Sequence, residues 1–514
     1  MKNSEQPIRT VPALVNICET QYGPRALFRW RRGEEIRNVT YARFAVEARA
    51  LAAAIDAKTP SGAKIAIVGE NSYGWLLCWF AILCAGRAAV PLDPQLPAAD
   101  LLALLQKSGA ALLFSSASFE DVAEAYGRAV SMKDVPAMLA PYEGAMGWPG
   151  EVRPDDLAAI VYTSGTTGEP KGVMLTHWNF MSDSLSGCRR VDLVGHTMLA
   201  ILPFYHTLSI TPGMLAQLPG GSTICICGGL KHLAKDLAAF QPKYMVAVPL
   251  LAEGLYQKVW DTAKKEGKDK LLRTMLKISG ALQRVGLDLR RKLFKSVLAA
   301  FGGKLEWICV GGAPVSEECV EGLLCFGIEV LPAYGTTECS PGVSLNQYGA
   351  CKGRSVGPVM DCNEVKIEDG EILVKGDNVF LGYYKDEGAT REAFTEDGWF
   401  KTGDLGRLDE DGYLYITGRK KNLIILSNGK NVSPESLEQK LMAIPHIKEA
   451  LVYQEGDEIV AGLFLDEESP DAAARLDEDI MALNRSLPIY QRIAKTVLRD
   501  TEFPKTTTKK IKRK

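Results

Sequence analysis

An excess of charge of either sign is missing: 60 Lys and Arg stand against 62 Asp and Glu, a formal charge of −2. No overall field therefore draws the chain to nucleic acid or to an anionic membrane surface, and its partners are expected among small molecules. Histidine is scarce, with 5 in 514 residues, and the 12 cysteines are scattered without a C-x-x-C pair. Cys225 and Cys227 stand too close together for a metal knuckle, so no structural zinc site is expected. Scattered cysteines without a framework read as buried free thiols in a reducing, cytoplasmic compartment. Long apolar runs are also lacking. The most apolar stretch, Trp75 to Ala85, has about half the length a bilayer span needs and reads as a buried helix, so no transmembrane segment is expected and a peripheral membrane contact stays open. Lys2 and Arg9 precede apolar residues, but Pro12, Asn16 and Glu19 break any signal-peptide core. Repeats and low-complexity linkers are absent from the sequence.

What is present is an ordinary globular composition, 46% apolar and 24% charged, which argues for a folded chain. Its 514 residues exceed what one core serves, so more than one domain is expected. Apolar runs rich in β-branched residues recur among helix-like stretches at Lys64 to Val68, Ala111 to Phe114, Ala159 to Tyr162, Tyr244 to Val248 and Trp307 to Val310. That alternation predicts an α/β fold with layered subdomains and largely parallel sheets. From about residue 364 to 418 short strands alternate with Gly and Asp turns, such as Glu368-Asp369-Gly370 and Glu410-Asp411-Gly412, and a β-rich subdomain is expected. The expected organisation is an N-terminal domain over 1–418, a hinge at 419–421 and a small mobile α+β domain over 422–514.

The most informative segment is Ile160-Val-Tyr-Thr-Ser-Gly-Thr-Thr-Gly-Glu-Pro-Lys-Gly-Val173. An apolar strand runs into a loop of hydroxyls and glycines and then a lysine. Glycines let backbone N–H groups converge on an anion, hydroxyls add donors, and Lys171 adds a point charge, so the loop can cradle a polyphosphate. It is not a Walker loop, because Pro170 precedes the lysine and Gly172 follows it. On composition alone an ordinary surface loop fits as well.

Further motifs follow in order: Pro203-Phe-Tyr-His-Thr207, Val310-Gly-Gly-Ala-Pro314, Tyr334-Gly-Thr-Thr-Glu338, Gly398-Trp-Phe-Lys-Thr-Gly-Asp-Leu405, Gly418-Arg-Lys-Lys-Asn422 and Pro504-Lys-Thr-Thr-Thr-Lys-Lys-Ile-Lys-Arg513. Together with the loop they closely resemble the acyl-adenylate-forming superfamily, which includes acyl-CoA synthetases, beetle luciferases and peptide-synthetase adenylation domains. The resemblance spans nearly the whole chain. It implies an ATP-dependent, AMP-forming ligase that uses Mg²⁺ and coenzyme A. It implies that Thr163, Ser164, Gly165, Thr166, Thr167 and Gly168 with Lys171 hold the β- and γ-phosphates, and that Glu338 holds Mg²⁺. Thr337 would touch the α-phosphate, and Tyr334, Gly335 and Thr336 would line the nucleotide, with Tyr334 facing adenine. Gly312 and Ala313 leave room for purine and acyl group. Asp404 and Arg419 would contact the ribose, His206 would lie near the reacting carboxylate, and Lys421 would be the hinge. Lys510 would bridge carboxylate and α-phosphate, with Lys509 as its rival because the family more often has glycine there. Taken singly, each has a plainer reading: Tyr334 as strand-end packing, Asp404 as a turn residue, Arg419 as a surface arginine and His206 as a structural histidine. Asp183-Ser184-Leu185 imitates a phosphopantetheine attachment triplet but reads as helix sequence.

The family's amino-acid activators place an Asp beside the aromatic of the Pro203 to Thr207 region, to meet the substrate ammonium. Here Phe204-Tyr205-His206 stands instead, and an unpaired ammonium in an apolar pocket is costly. The pattern most resembles long-chain fatty acid-CoA ligases. Chain length is not legible, and the thiol acceptor, coenzyme A or acyl carrier protein, stays open. An aryl acid-CoA ligase, a luciferase-like oxidation or a non-catalytic nucleotide-binding relative are the alternatives.

Overall fold

The computed structural model describes residues 8–163, 169–427, 430–444, 446–456, 458–466, 472–505 and 511–513. By packing, the chain divides into two compact units, one of residues 1–364 and 374–400, the other of residues 365–373 and 401–514.

The expected strands appear in the first unit as Lys64–Val68, Leu112–Ser115, Leu157–Thr163, Tyr244–Ala247 and Trp307–Val310. Among the described residues they belong to two large sheets. The eight-stranded sheet runs in the order Gly342–Leu345, Glu329–Gly335, Trp307–Val310, Tyr244–Ala247, Thr197–Ala200, Thr223–Ile226, Ala26–Arg32, Glu35–Thr40. Its six inner strands are parallel, and an antiparallel strand closes each edge. The seven-stranded sheet runs Gly382–Tyr383, Lys171–Thr176, Leu157–Thr163, Ala88–Pro91, Lys64–Val68, Leu112–Ser115, Ala129–Ser131. It is parallel from Leu157–Thr163 onward and antiparallel at the other edge. The continuous apolar character of these strands follows from burial on both faces, as in α/β layers generally.

The apolar run at Trp75 forms the helix Tyr73–Cys84, in which every residue from Trp75 to Cys84 is buried. Ser72 caps it, its Oγ accepting from the Trp75 N–H at 3.1 Å. A helix apolar all round must lie inside the protein. Its Phe80 sets an edge against Phe44, and Phe44 another against Phe28, with centroids 5.1 and 5.2 Å apart. Each such ring contributes roughly 1.5–3 kcal/mol by burial.

The second unit carries most of a four-stranded sheet, ordered Asn363–Glu368, Glu371–Gly376, Phe400–Leu408, Leu414–Arg419. Asp369 and Gly370 both have positive φ, 51° and 79°, which makes the two-residue turn joining the first two strands and matches their twist. Beyond it, the strands Ile447–Glu455, Glu458–Leu465 and Lys495–Arg499 form a three-stranded sheet, and the helices Pro434–Met442 and Ala472–Ser486 complete a small α+β body. Leu437, Leu441, Val452, Ala461, Leu463 and Leu476 form its own core. Residues 365–373 and 401–418 thus go with the C-terminal segment, and residues 419–421 lie inside this unit.

Candidate active site

In the first unit, a hairpin carries Thr163 and Lys171. Leu157–Thr163 pairs with Lys171–Thr176 so that Thr163 stands opposite Lys171; residues Ser164 to Gly168 lie outside the described residues. Gly172 is sterically required, because a Cβ there would come 2.8 Å from Ile160 Cγ2 and 3.2 Å from Tyr162 Cε1. On the far side of the hairpin the strand Gly382–Tyr383 pairs Tyr383 with Val173. That pairing brings the Tyr383 ring 5.0 Å beneath the Lys171 ammonium. The Tyr383 hydroxyl donates to Glu338 Oε1 at 2.9 Å. The lysine and the carboxylate named from the sequence are therefore joined by a phenol that the sequence did not single out. Burial, with Glu338 adding to it, pushes the Tyr383 hydroxyl well above its ordinary range, so it stays a donor.

Glu338 stands in the one-turn helix Thr337–Cys339, directly after the strand Glu329–Gly335. The chain doubles back there so tightly that a Cβ on Gly335 would lie 1.7 Å from the Pro341 carbonyl oxygen. Beneath the turn lies a buried polar support. Asp183, on the helix His177–Cys188, accepts from the Gly342 N–H at 3.0 Å and from Asn378 Nδ2 at 3.1 Å. Asn378 Nδ2 also donates to the Cys339 carbonyl at 2.8 Å. Burial raises the Asp183 carboxyl to about 8 against these two neutral donors. The Asp183-Ser184-Leu185 triplet thus lies in a helix, as its sequence reads, and its acid serves the turn.

Tyr334, Gly312 and His206 come together by topology. The strands Glu329–Gly335, Trp307–Val310, Tyr244–Ala247 and Thr197–Ala200 are parallel neighbours, so the segments that follow them gather at one sheet edge, where open α/β sheets bind ligands. Gly312 has φ 86°, and its Cβ position meets nothing within 4 Å; Ala313 beside it is exposed. His206 caps the short helix Thr207–Ile210, its Nδ1 accepting from the Leu208 N–H at 3.1 Å, which leaves Nε2 to carry the proton of a neutral ring. Asn71 anchors this loop, donating to the Leu202 carbonyl at 2.7 Å and accepting from the Phe204 N–H at 2.9 Å.

In the second unit Asp404 stands opposite Arg419 across the strand pair, and Arg419 Nε lies 2.6 Å from Asp404 Oδ1. Asp404 is buried and Arg419 half-exposed. Next to them, the Gly403 N–H donates to Glu371 Oε1 at 3.0 Å and Lys420 Nζ to Glu371 Oε2 at 2.7 Å. That bond, first, and the Glu371 charge hold Lys420 above its ordinary value. Lys421, in the turn Lys420–Asn422, is pushed down by partial burial and then by Arg419. Lys505 and Ile511 form an antiparallel bridge, and Arg513 pairs with Glu438. Lys509 and Lys510, between them, lie outside the described residues.

The donor set fits Mg²⁺. Glu338 offers a hard oxygen, Oε2, that has no protein partner among the described residues. No cluster of three or more His, Cys, Asp or Glu forms among those residues, so a metal here would be held by Glu338 together with phosphate oxygens and water, as Mg²⁺ prefers. Sequence reading missed Tyr383, Asn71, Asp183 and Asn378. Tyr383 left a faint signal, the Gly382-Tyr383-Tyr384 string just after a Gly-Asp turn; the others left none.

Parallel sheets with Thr163, Lys171 and Glu338 near their strand ends make an α/β fold of the class that binds ligands there. The chain matches the model of the AMP-binding enzyme family over residues 17–384 and that of the AMP-binding enzyme C-terminal domain over residues 421–514, and it belongs to that family. It is 32% identical to the long-chain-fatty-acid–CoA ligase FadD15 of Mycobacterium bovis, over 93% of this chain and 90% of that protein. Long-chain-fatty-acid–CoA ligase 6 of Mus musculus is 34% identical over 60% of this chain and 48% of its own length. The ATP-bound structure of MatB from Rhodopseudomonas palustris superposes with a TM-score of 0.80 over 97% of both chains at 24% identity, a likeness of fold.

Proposed function

We propose that the protein is an ATP-dependent fatty acid-CoA ligase. A fatty carboxylate attacks the α-phosphorus of ATP and expels pyrophosphate, and the coenzyme A thiol then attacks the acyl carbonyl of the acyl-AMP and releases AMP. The observation that carries this reading is the convergence of Lys171, Tyr383 and Glu338, with Thr163 opposite Lys171. The problem in the first step is charge, since an anion must approach a polyanion, and fixed cations and dipoles are what lower that barrier. Lys171 and the loop from Thr163 to Gly168 bind the β- and γ-phosphates. Glu338 would hold Mg²⁺, which would neutralise phosphate charge when bound, and Tyr383 fixes one of the two carboxylate oxygens by its hydrogen bond. Thr337 touches the α-phosphate, Tyr334 faces adenine, and Asp404 accepts from the ribose hydroxyls while Arg419 fixes its orientation. Lys510, or Lys509 in its place, supplies the charge between carboxylate and phosphate. His206, with its proton on Nε2, donates toward the reacting carboxyl.

The test is ATP–pyrophosphate exchange against a panel of acids, followed by transfer to coenzyme A or to an acyl carrier protein. Exchange is expected to rise from octanoate to palmitate, with coenzyme A as the better acceptor. Exchange with amino acids but not with fatty acids would overturn the substrate assignment, and preferred transfer to the carrier protein would move the acceptor. Absence of exchange with every acid would mark a non-catalytic relative.

A further inference from the structure

We propose that the segment from Lys258 to Lys295 in the first unit is a docking surface for an anionic membrane. The sequence there holds 12 Lys and Arg against 4 Asp and Glu, within a chain of formal charge −2. The central helix, Asp269–Arg284, has one face committed to the interior: Leu272 and Ser279 are buried, and Met275 and Leu276 lie against the core. A second apolar stripe lies about a quarter-turn round the helix from that face. Leu271, Ile278 and Val285 recur every seven residues, so they line up along one side, and they are 57%, 51% and 71% exposed. Leu287, just past the helix end, is 53% exposed.

Exposed cations stand on this helix and at the end of the one before it. Lys264, Lys265, Lys270 and Lys277 are exposed, and none of the four forms an ion pair among the described residues. Arg273 lies 4.8 Å over the Trp260 ring, a pairing of cation and indole suited to a headgroup region. A basic helix with protruding aliphatic side chains lies in the plane of an anionic interface, its apolar residues in the acyl boundary and its lysines among the headgroups. The stripe stands out from a helix rather than lining a groove, which favours a lipid surface over an acidic protein. The surface rests on charge and exposure alone; its use in collecting an apolar acid from the bilayer rests on the proposed function.

Flotation with vesicles, without ATP, acid or thiol, tests the surface separately from that function. The full chain is expected to float with vesicles of phosphatidylcholine and phosphatidylglycerol, less so as salt rises, and not with phosphatidylcholine alone. The triple variant Leu271→Ser, Ile278→Ser, Val285→Ser should lose flotation. The double variant Lys270→Glu, Lys277→Glu should weaken it by about tenfold or more, since one basic residue near such a surface is worth roughly a factor of five. Unchanged circular dichroism and thermal midpoints show that both variants are folded. A wild-type chain that stays off anionic vesicles, or variants that float as well as it does, would overturn the proposal. So would saturable capture of an acidic carrier protein by this surface without vesicle binding.

Discussion

Asp183 is a carboxylic acid where carboxylates are rarely tolerated, wholly enclosed and facing only neutral donors, Gly342 N–H and Asn378 Nδ2. Burial disfavours the ion more than those two bonds favour it, and the group titrates near 8. An unfolded aspartate ionises near 4. Between those values the folded chain holds a proton that the unfolded chain has released, so stability falls as pH rises, by up to about 1.4 kcal/mol per unit. The contribution is fully present below pH ~4, is lost on the way to about 8, and stays lost above it. Asp183→Asn keeps an acceptor oxygen for both donors and carries no proton to lose. Its thermal midpoint should therefore match wild type at pH ~4 and exceed it by a widening margin up to about 8. Differential scanning at several pH values checks this; parallel curves for the two proteins would mean that Asp183 is ionised in the fold. Tyr383 is the other residue whose role depends wholly on the fold. A tyrosine in a two-residue strand carries no message until that strand pairs with Lys171–Thr176 and sets its hydroxyl on Glu338.

At the scale of the element, the turn from Gly335 to Gly342 decides where Glu338 and Thr337 stand. Gly335 pairs with Gly342 across it, and a Cβ on Gly335 would overlap the Pro341 carbonyl. Since backbone cannot yield as a flexible side chain does, Gly335→Ala must open the turn. A displacement near 1 Å costs about 10²-fold in a step that depends on aligned groups, so pyrophosphate exchange should fall by at least that much while the variant stays folded. Exchange within a few-fold of wild type would show that the turn yields. Elements such as this explain how much was legible beforehand. Parallel strands and the enclosed helix at Trp75 were readable because a run apolar on every face has only one place to go. The Glu368-Asp369-Gly370 hairpin was readable because its turn needs residues that accept positive φ. Thr163, Lys171, Tyr334 and Glu338 were readable as ordered motifs. The support under them was not: Asp183, Asn378 and Asn71 act through partners distant in sequence, and no local pattern announces a single buried hydrogen bond.

At the scale of the whole molecule, the residues named for chemistry fall in two packing units: Lys171, His206, Tyr334 and Glu338 in one, Asp404, Arg419 and the Lys509–Lys510 pair in the other. Under the proposed function the two half-reactions make opposite demands. Adenylation needs a lysine charge between carboxylate and phosphate, whereas thioester formation needs a bulky thiol admitted to the same carbon. One fixed arrangement serves both poorly, so we propose that the segment after Lys421 turns between the steps, as hinges at the ends of elements do. Lys421 is the second residue of the single turn Lys420–Asn422, between the strands Leu414–Arg419 and Ile424–Ile425. The N–H at that place has no acceptor within the turn. A proline would therefore cost no helical bond while fixing its own φ near −65° and restricting Lys420 before it. Lys421→Pro is expected to keep acyl-AMP formation near the wild-type rate and to lose thioester formation from synthetic acyl-AMP. The two half-reactions are measured separately, by pyrophosphate exchange and by thiol consumption, on protein with a wild-type melting temperature. If both persist, or both decline by the same factor, Lys421 is an ordinary turn lysine and the pivot lies elsewhere in the chain.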